Sequence, residues 1–242
     1  MKPIKLGILQ TNHDKSEEVG DKFPDDAHRF RDLFDCQEQR YKYRIYMTIG
    51  GEVPQDVEEQ DAYMITGSPL SVLDDHVFSE SLNEFIRKCD QAKKPLLGVC
   101  FGHQAIAQAL GGKVERSKLG YNVGIETARY HTQKPWMQPP QSNLPLYVFH
   151  NDQVTSLPDG CEVLASTDKC EISSFSKGDH IFTTQSHPEF TSEFMSCVLK
   201  FTEKKMPNDD VERAWQSLAK EQEGHIFGAW ATEFFKRGMK HV

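Results

Sequence analysis

Cys100 stands where two patterns meet. The apolar run before it, Leu96, Leu97 and Val99, is too short for a helix and does not alternate, which predicts a buried parallel strand. After it, Ala105, Ile106, Ala109 and Leu110 share one helical face, and Gly111-Gly112 supplies a stop. Gly98 and Gly102 flank the cysteine, giving the glycine-x-nucleophile-x-glycine spacing of a sharp strand-to-helix turn. Such a turn strains its central residue and crowds the positions two away on either side, which is why those positions are glycine. A thiol placed there lies at a helix N-terminus, whose partial positive charge favours the thiolate. The backbone N–H of Phe101 would face any oxyanion formed on an attacked carbonyl. The arrangement suits acyl transfer through a cysteine nucleophile and is compatible with several kinds of hydrolase.

A cysteine nucleophile needs a base, usually histidine, oriented by a third group. Of the ten histidines, His187 has the most suitable context, in Gln185-Ser186-His187-Pro188-Glu189, at the end of the apolar run Ile181 to Thr184 and before a helical pattern. Alternate residues of an extended segment point the same way, so His187 and Glu189 can face one site together, and Pro188 restricts His187 to extended conformations. A carboxylate beside an imidazole fixes its tautomer and favours the imidazolium, which in turn holds a thiolate. Taken singly, a cysteine at a strand end is an ordinary small hydrophobe and a His-Pro-Glu an ordinary turn. Their joint occurrence with the elbow is what makes the pattern specific.

The elements that must position these groups follow from periodicity. Ile4 to Gln10, Tyr43 to Ile49 and Ala62 to Thr66 read as buried strands. The helices between them are one capped by Asp25 and Asp26 and running through Ala27, Phe30, Leu33 and Phe34, and one over Ser79 to Lys93. The alternation predicts an α/β fold: an open, mostly parallel, flavodoxin-like sheet with helices on both faces, its site beyond the carboxyl ends of the strands. The second half is richer in short strands, at 114–115, 124–130, 146–150, 162–166, 172–176 and 180–184, which predicts additional antiparallel strands. Thr11 to Asp25 and the proline-rich Gln133 to Pro145 read as loops. Ser192 to Lys205 is helical, and Pro207-Asn208 breaks it. The expected organisation is one domain over residues 1–205 and a helical extension over 206–242 that packs on it. In the extension, Ile226, Trp230 and Phe234 form an aromatic stripe that either closes the core or offers a homodimer face.

Composition narrows the function classes. The chain of 242 residues carries a formal net charge of −8 and no Lys/Arg-rich stripe, which argues against a nucleic-acid partner. Its six cysteines include no C-x-x-C pair and no histidine at metal-ligand spacing, so neither a metal nor another cofactor is expected. The N-terminal apolar run, Ile4 to Leu9, is too short for a signal peptide or a membrane span, so a reducing cytoplasm is expected.

The elbow Gly98-Val99-Cys100-Phe101-Gly102-His103-Gln104, the upstream Ile65-Thr66-Gly67-Ser68-Pro69 and the downstream Ser186-His187-Pro188-Glu189 together resemble class I (triad) glutamine amidotransferases. Within that superfamily the chain is most similar to the amidotransferase portion of GMP synthase and to stand-alone relatives, including plant γ-glutamyl peptidases. The resemblance covers roughly Ile4 to Phe201 and includes Leu119-Gly120-Tyr121 and Phe149-His150-Asn151-Asp152-Gln153-Val154. It implies a catalytic triad of Cys100, His187 and Glu189, an oxyanion hole from the amides of Gly67 and Phe101, and substrate contacts from Ser68 and Gln104. GMP synthases carry two successive glycines in the upstream loop; here Ser68 takes the second place and still supplies an N–H. His150 and Asp152 correspond to a segment that lies near the partner domain in GMP synthase, or form a turn with a capping aspartate. Neither an S-G-G-x-D-S nor a G-x-x-x-x-G-K-[ST] phosphate loop is present. Three readings follow: a glutaminase releasing ammonia to a separate synthetase chain, a stand-alone hydrolase of γ-glutamyl peptides or amides, and a non-catalytic binding relative. The stretches 164–170 and 175–180, which closely resemble the peptidases, lean toward the second.

Overall fold

The computed structural model describes residues 2–239. Five strands run parallel in the order β2 (Tyr41–Tyr46), β1 (Ile4–Leu9), β3 (Ala62–Ile65), β4 (Leu96–Val99) and β11 (Ile181–Thr184). The sheet continues antiparallel through β10 (Ser174–Lys177), β9 (Cys161–Ser166), β6 (Asn122–Tyr130) and β7 (Asn143–His150), making nine strands. A separate two-stranded ribbon joins β5 (Lys113–Arg116) to β8 (Asp152–Ser156).

Alternate residues of the central strands feed two apolar layers, as the two-residue period of a strand requires. On one face Ile4, Leu6, Ile8, Leu97 and Val99 pack against Phe30 and Phe34 of α1 (Asp26–Asp35) and Phe227, Trp230 and Phe234 of α6 (Gly224–Gly238). On the other, Leu9, Tyr63, Ile65 and Leu96 meet α2 (Ser79–Ala92) and α3 (Phe101–Ala109). A third cluster joins Val123, Ile125 and Tyr147 to α4 (Ser192–Thr202) and α5 (Asn208–Ser217). The Asp25 side chain caps α1 by accepting from the His28 N–H at 3.0 Å, and Thr191 caps α4.

The aromatic stripe of α6 is spent inside its own chain: Trp230 and Phe234 are fully covered, and the Trp230 indole donates to the Pro139 carbonyl at 2.8 Å. The stripe therefore presents no exposed ring to a second copy. α6 also begins against the Pro188 carbonyl, so tightly that Gly224 has no room for a side chain. Among the described residues, no helix is long and apolar enough to cross a membrane.

Local boundaries shift where a turn intervenes. The strand expected to reach Ile49 ends at Tyr46, because Thr48–Gly50 winds into a 3-10 turn closed by Gly51 in the left-handed region, φ 94°. The strand expected over 172–176 begins at Ser174, after Ser173 has donated to the Ala165 carbonyl at 3.0 Å across an irregular register. The expected helical tail is two helices, α5 and α6, separated by residues 218–223. β8 lies where the sequence suggests only a turn with a capping aspartate within the Phe149 to Val154 segment.

Candidate active site

Cys100 sits between β4 and α3 at φ 49°, ψ −102°, a backbone conformation that costs a non-glycine residue energy and persists only when its surroundings impose it. Its N–H donates to the Thr184 carbonyl of β11 at 2.8 Å, and its own carbonyl accepts from the Gln104 N–H of α3 at 3.1 Å. A side chain at Gly102 would land on the Ile65 carbonyl, so the second residue of α3 must be glycine. Gly67, just after β3, lies under the side chains of both Cys100 and His187. A Cβ there would stand 2.8 Å from His187 Cε1 and 3.6 Å from Cys100 Cβ.

His187 follows β11, and its N–H donates to the Tyr147 carbonyl at 2.7 Å. Its Nδ1 meets Glu189 Oε1 at 2.8 Å, with both side chains buried, and the ring lines the same cleft as Cys100. Burial disfavours the imidazolium, but the negative charges of Cys100 and Glu189 outweigh it and hold His187 well above the usual histidine range. The ring also stacks on Phe190, with centroids 4.0 Å apart and planes 16° from parallel. Behind it, α1 supplies the buried pair Arg29 Nη2–Asp26 Oδ1 at 2.6 Å, with Asn12 donating to Asp26 at 2.9 Å. Burial keeps the Asp26 carboxyl above its usual range despite Arg29.

These groups open into a cleft of about 350 Å³ with two unlike ends. One end is polar: the Asp152 carboxylate accepts from Arg116 Nε at 2.9 Å and from the Ser71 hydroxyl, while His150 Nδ1 contacts the Asp152 carbonyl at 3.0 Å. Burial holds His150 down at about 4, so it is a neutral imidazole. The other end is the face of α4 carrying Phe194, Val198 and Phe201, which helical spacing puts in one row starting beside Phe190. Asn12, Asp14 and Val19 from the long β1–α1 loop overhang the same cleft.

A family model described as glutamine amidotransferase class-I matches residues 37–203, well over half of the chain. The chain belongs to the class-I glutamine amidotransferase family. Gamma-glutamyl peptidase 3 of Arabidopsis thaliana is 28% identical over 211 residues, 83% of this chain and 85% of that protein. A GMP synthase (glutamine-hydrolyzing) of Caldicellulosiruptor saccharolyticus is 36% identical over 140 residues, 57% of this chain and 26% of that protein. The crystal structure of a glutamine amidotransferase from Thermotoga maritima covers 99% of this chain and 100% of its own, with a TM-score of 0.76 at 18% identity, a likeness of fold.

In this member of the amidotransferase family, Cys100, His187, Glu189, Gly67 and the start of α3 at Phe101 are brought together at the carboxyl ends of β3, β4 and β11. Gln104 lines the cleft, but its amide nitrogen is engaged, donating to the Asp152 carbonyl at 2.8 Å and to Gln185 Oε1 at 3.0 Å. Ser68 turns its hydroxyl away, donating to the Thr11 carbonyl at 2.8 Å. Asp152 is not a turn cap: it opens β8, and its carboxylate is tied to Arg116 and Ser71. Sequence reasoning missed Arg116, Ser71, Asp26, Arg29 and Phe190. Of these only Phe190 carried a signal, as an aromatic directly after the His-Pro-Glu segment.

Proposed function

We propose that this protein is an amidohydrolase of γ-glutamyl amides, glutamine included, working through a Cys100 thioester. The observation that carries this is the buried Nδ1–Oε1 contact of His187 and Glu189 at 2.8 Å, beside a thiol held on a strained elbow. The Cys100 thiolate attacks the γ-carboxamide carbon, and the developing oxyanion lies toward the N–H groups of Gly67 and Phe101. Imidazolium His187 gives its proton to the departing nitrogen, ammonia in the case of glutamine, and the C–N bond breaks to leave the thioester. His187, now neutral, takes a proton from water. The hydroxide adds to the thioester carbon, the thiolate leaves, and glutamate is released. Glu189 holds the ring in the tautomer this needs.

The polar end of the cleft, with the Asp152 carboxylate and the Arg116 guanidinium side by side, complements the ammonium and carboxylate of a glutamyl α-carbon. Ser68 would contribute to substrate seating through its backbone and Gln104 by fixing the Asp152 segment. A reducing cytoplasm suits the mechanism, since it keeps the nucleophile a free thiol. A separate synthetase chain would receive the ammonia if glutamine is the physiological substrate.

A second reading, a γ-glutamyl peptidase without a synthetase partner, is favoured by the apolar row on α4, because ammonia as leaving group needs no apolar subsite. One assay tests both. Purified protein is given glutamine and a series of γ-glutamyl dipeptides, with ammonia and glutamate measured. Cys100→Ala is expected to lower turnover of every substrate by at least about 10³-fold; undiminished turnover would reject the nucleophile. Dipeptides with apolar C-terminal residues turning over faster than glutamine would select the peptidase, and the reverse order the glutaminase.

A further inference from the structure

The Phe190 ring, which itself neither donates nor accepts a proton, lies flat on the His187 imidazole, at 4.0 Å and 16°. Phe190 does not sit there loosely. Phe194 meets it edge-on at 4.6 Å and 69°, the Arg29 guanidinium lies 3.9 Å over the Phe194 ring, and Arg29 is itself clamped by the Asp26 carboxylate at 2.6 Å and the Pro24 carbonyl. A chain of contacts thus runs from the first turns of α1, through two aromatic rings of the segment entering α4, to one face of the imidazole. An aromatic face holds a neutral ring by stacking and a cation by the attraction of its quadrupole as well, so this stacking favours the imidazolium over the imidazole. Parallel stacking also removes the freedom of the ring to swing about its Glu189 hydrogen bond, which fixes the direction of the Nε2 opposite that bond.

We propose that Phe190, braced by Phe194 and the Asp26–Arg29 pair, is a positioning residue that holds His187 as the imidazolium by stacking on it. The inference rests on the reading of Cys100 and His187 as an acid–base pair. The charged and titratable groups that face His187 are Cys100 from the elbow, Glu189 from its own segment, Asp26 of α1 and His150 of β7. The Arg29 guanidinium lies 5.7 Å over the same Phe190 ring; the substitutions below change none of these charged groups, and Phe190→Trp keeps an aromatic face for both cations.

The test follows the His187 Cε1–H NMR signal against pH in full-length wild type, Phe190→Leu and Phe190→Trp, assigned by its absence in His187→Gln. Leucine fills comparable volume without a π face, and its midpoint is expected to fall by about half a unit to one and a half units. Tryptophan offers the strongest face, and its midpoint should match or exceed wild type. Coinciding profiles for wild type and Phe190→Leu overturn the proposal, as do equal downward shifts in both variants, which would mark a packing effect. If Phe190→Leu does not fold, the Trp comparison decides, a lower midpoint overturning the stacking. Labelling of Cys100 by a glutamine-mimicking electrophile is read in the same samples. Absent labelling with the expected shift would reject the proposed function while leaving the stacking intact.

Discussion

At Glu189 the carboxylate does one job with half of its atoms: Oε1 faces His187 Nδ1, and Oε2 is buried without a partner. A buried, half-satisfied carboxylate is costly to the fold, and what it supports is the charge on its neighbour. Because His187 is held above the usual histidine range, its imidazolium persists past neutral pH, and on the proposed mechanism activity should decline only as pH rises through that raised value. Glu189→Gln keeps the shape and removes the charge. Its kcat should fall by about 10² to 10⁴-fold, and the alkaline limb of its pH–rate profile should move to lower pH. A limb in the same place would mean that Glu189 does not set the charge of His187.

At the scale of elements, α6 closes the face of the sheet opposite α2 and α3. Trp230 stands edge-on to Tyr130 with centroids 4.9 Å apart, fully covered. Trp230→Ala is expected to cost about 3–5 kcal/mol in urea unfolding, because the site is fixed from several elements and cannot collapse. Much of this level was legible in the sequence. The elbow and the His-Pro-Glu segment are local patterns, each readable from its own spacing; that the two belong to one site came from the family resemblance, and the parallel βαβ alternation points to the carboxyl end of the sheet. What escaped was non-local or disguised by polarity. β8, Asp-Gln-Val-Thr-Ser, pairs only with β5 in a ribbon outside the main sheet, where no continuous apolar face is needed. Asp26 and Arg29 look like a solvated i, i+3 pair on a helix surface, and only the arrival of the α4 segment buries them. The 3-10 turn at Thr48–Gly50 ends a strand whose apolar residues would have carried it further.

Across the whole molecule, two buried histidines tie stability to pH. Burial, with the repulsion of His150, lowers His103 to about 3, and burial lowers His150 to about 4. Unfolded, both would titrate near the usual value of about 6.5. Between those limits the unfolded chain binds protons that the native one refuses, so their stabilising contribution is complete above about 6.5 and is lost as pH falls toward 4 and then 3. The Asp90 carboxyl, held below its usual range by Lys177 and His180 hydrogen bonds that outweigh its burial, adds a loss of the same sign lower in that window. Asp26, held above its usual range by burial, works in the opposite direction in the acid range; with two histidines and Asp90 against it, the thermal midpoint should still be lower at pH 4 than at pH 7, and an unchanged midpoint would show the two histidines to be solvated. The sheet order carries a further consequence. β11 is last in the chain of the eleven strands, yet it lies in the middle of the sheet between β4 and β10. A growing chain that has already displayed Cys100 has neither the strand that receives its N–H nor the histidine beside it. On the proposed mechanism, the thiol would therefore gain its hydrogen-bonded elbow and its histidine only once the last strand is in the sheet, so order of synthesis would act as a safety catch on it.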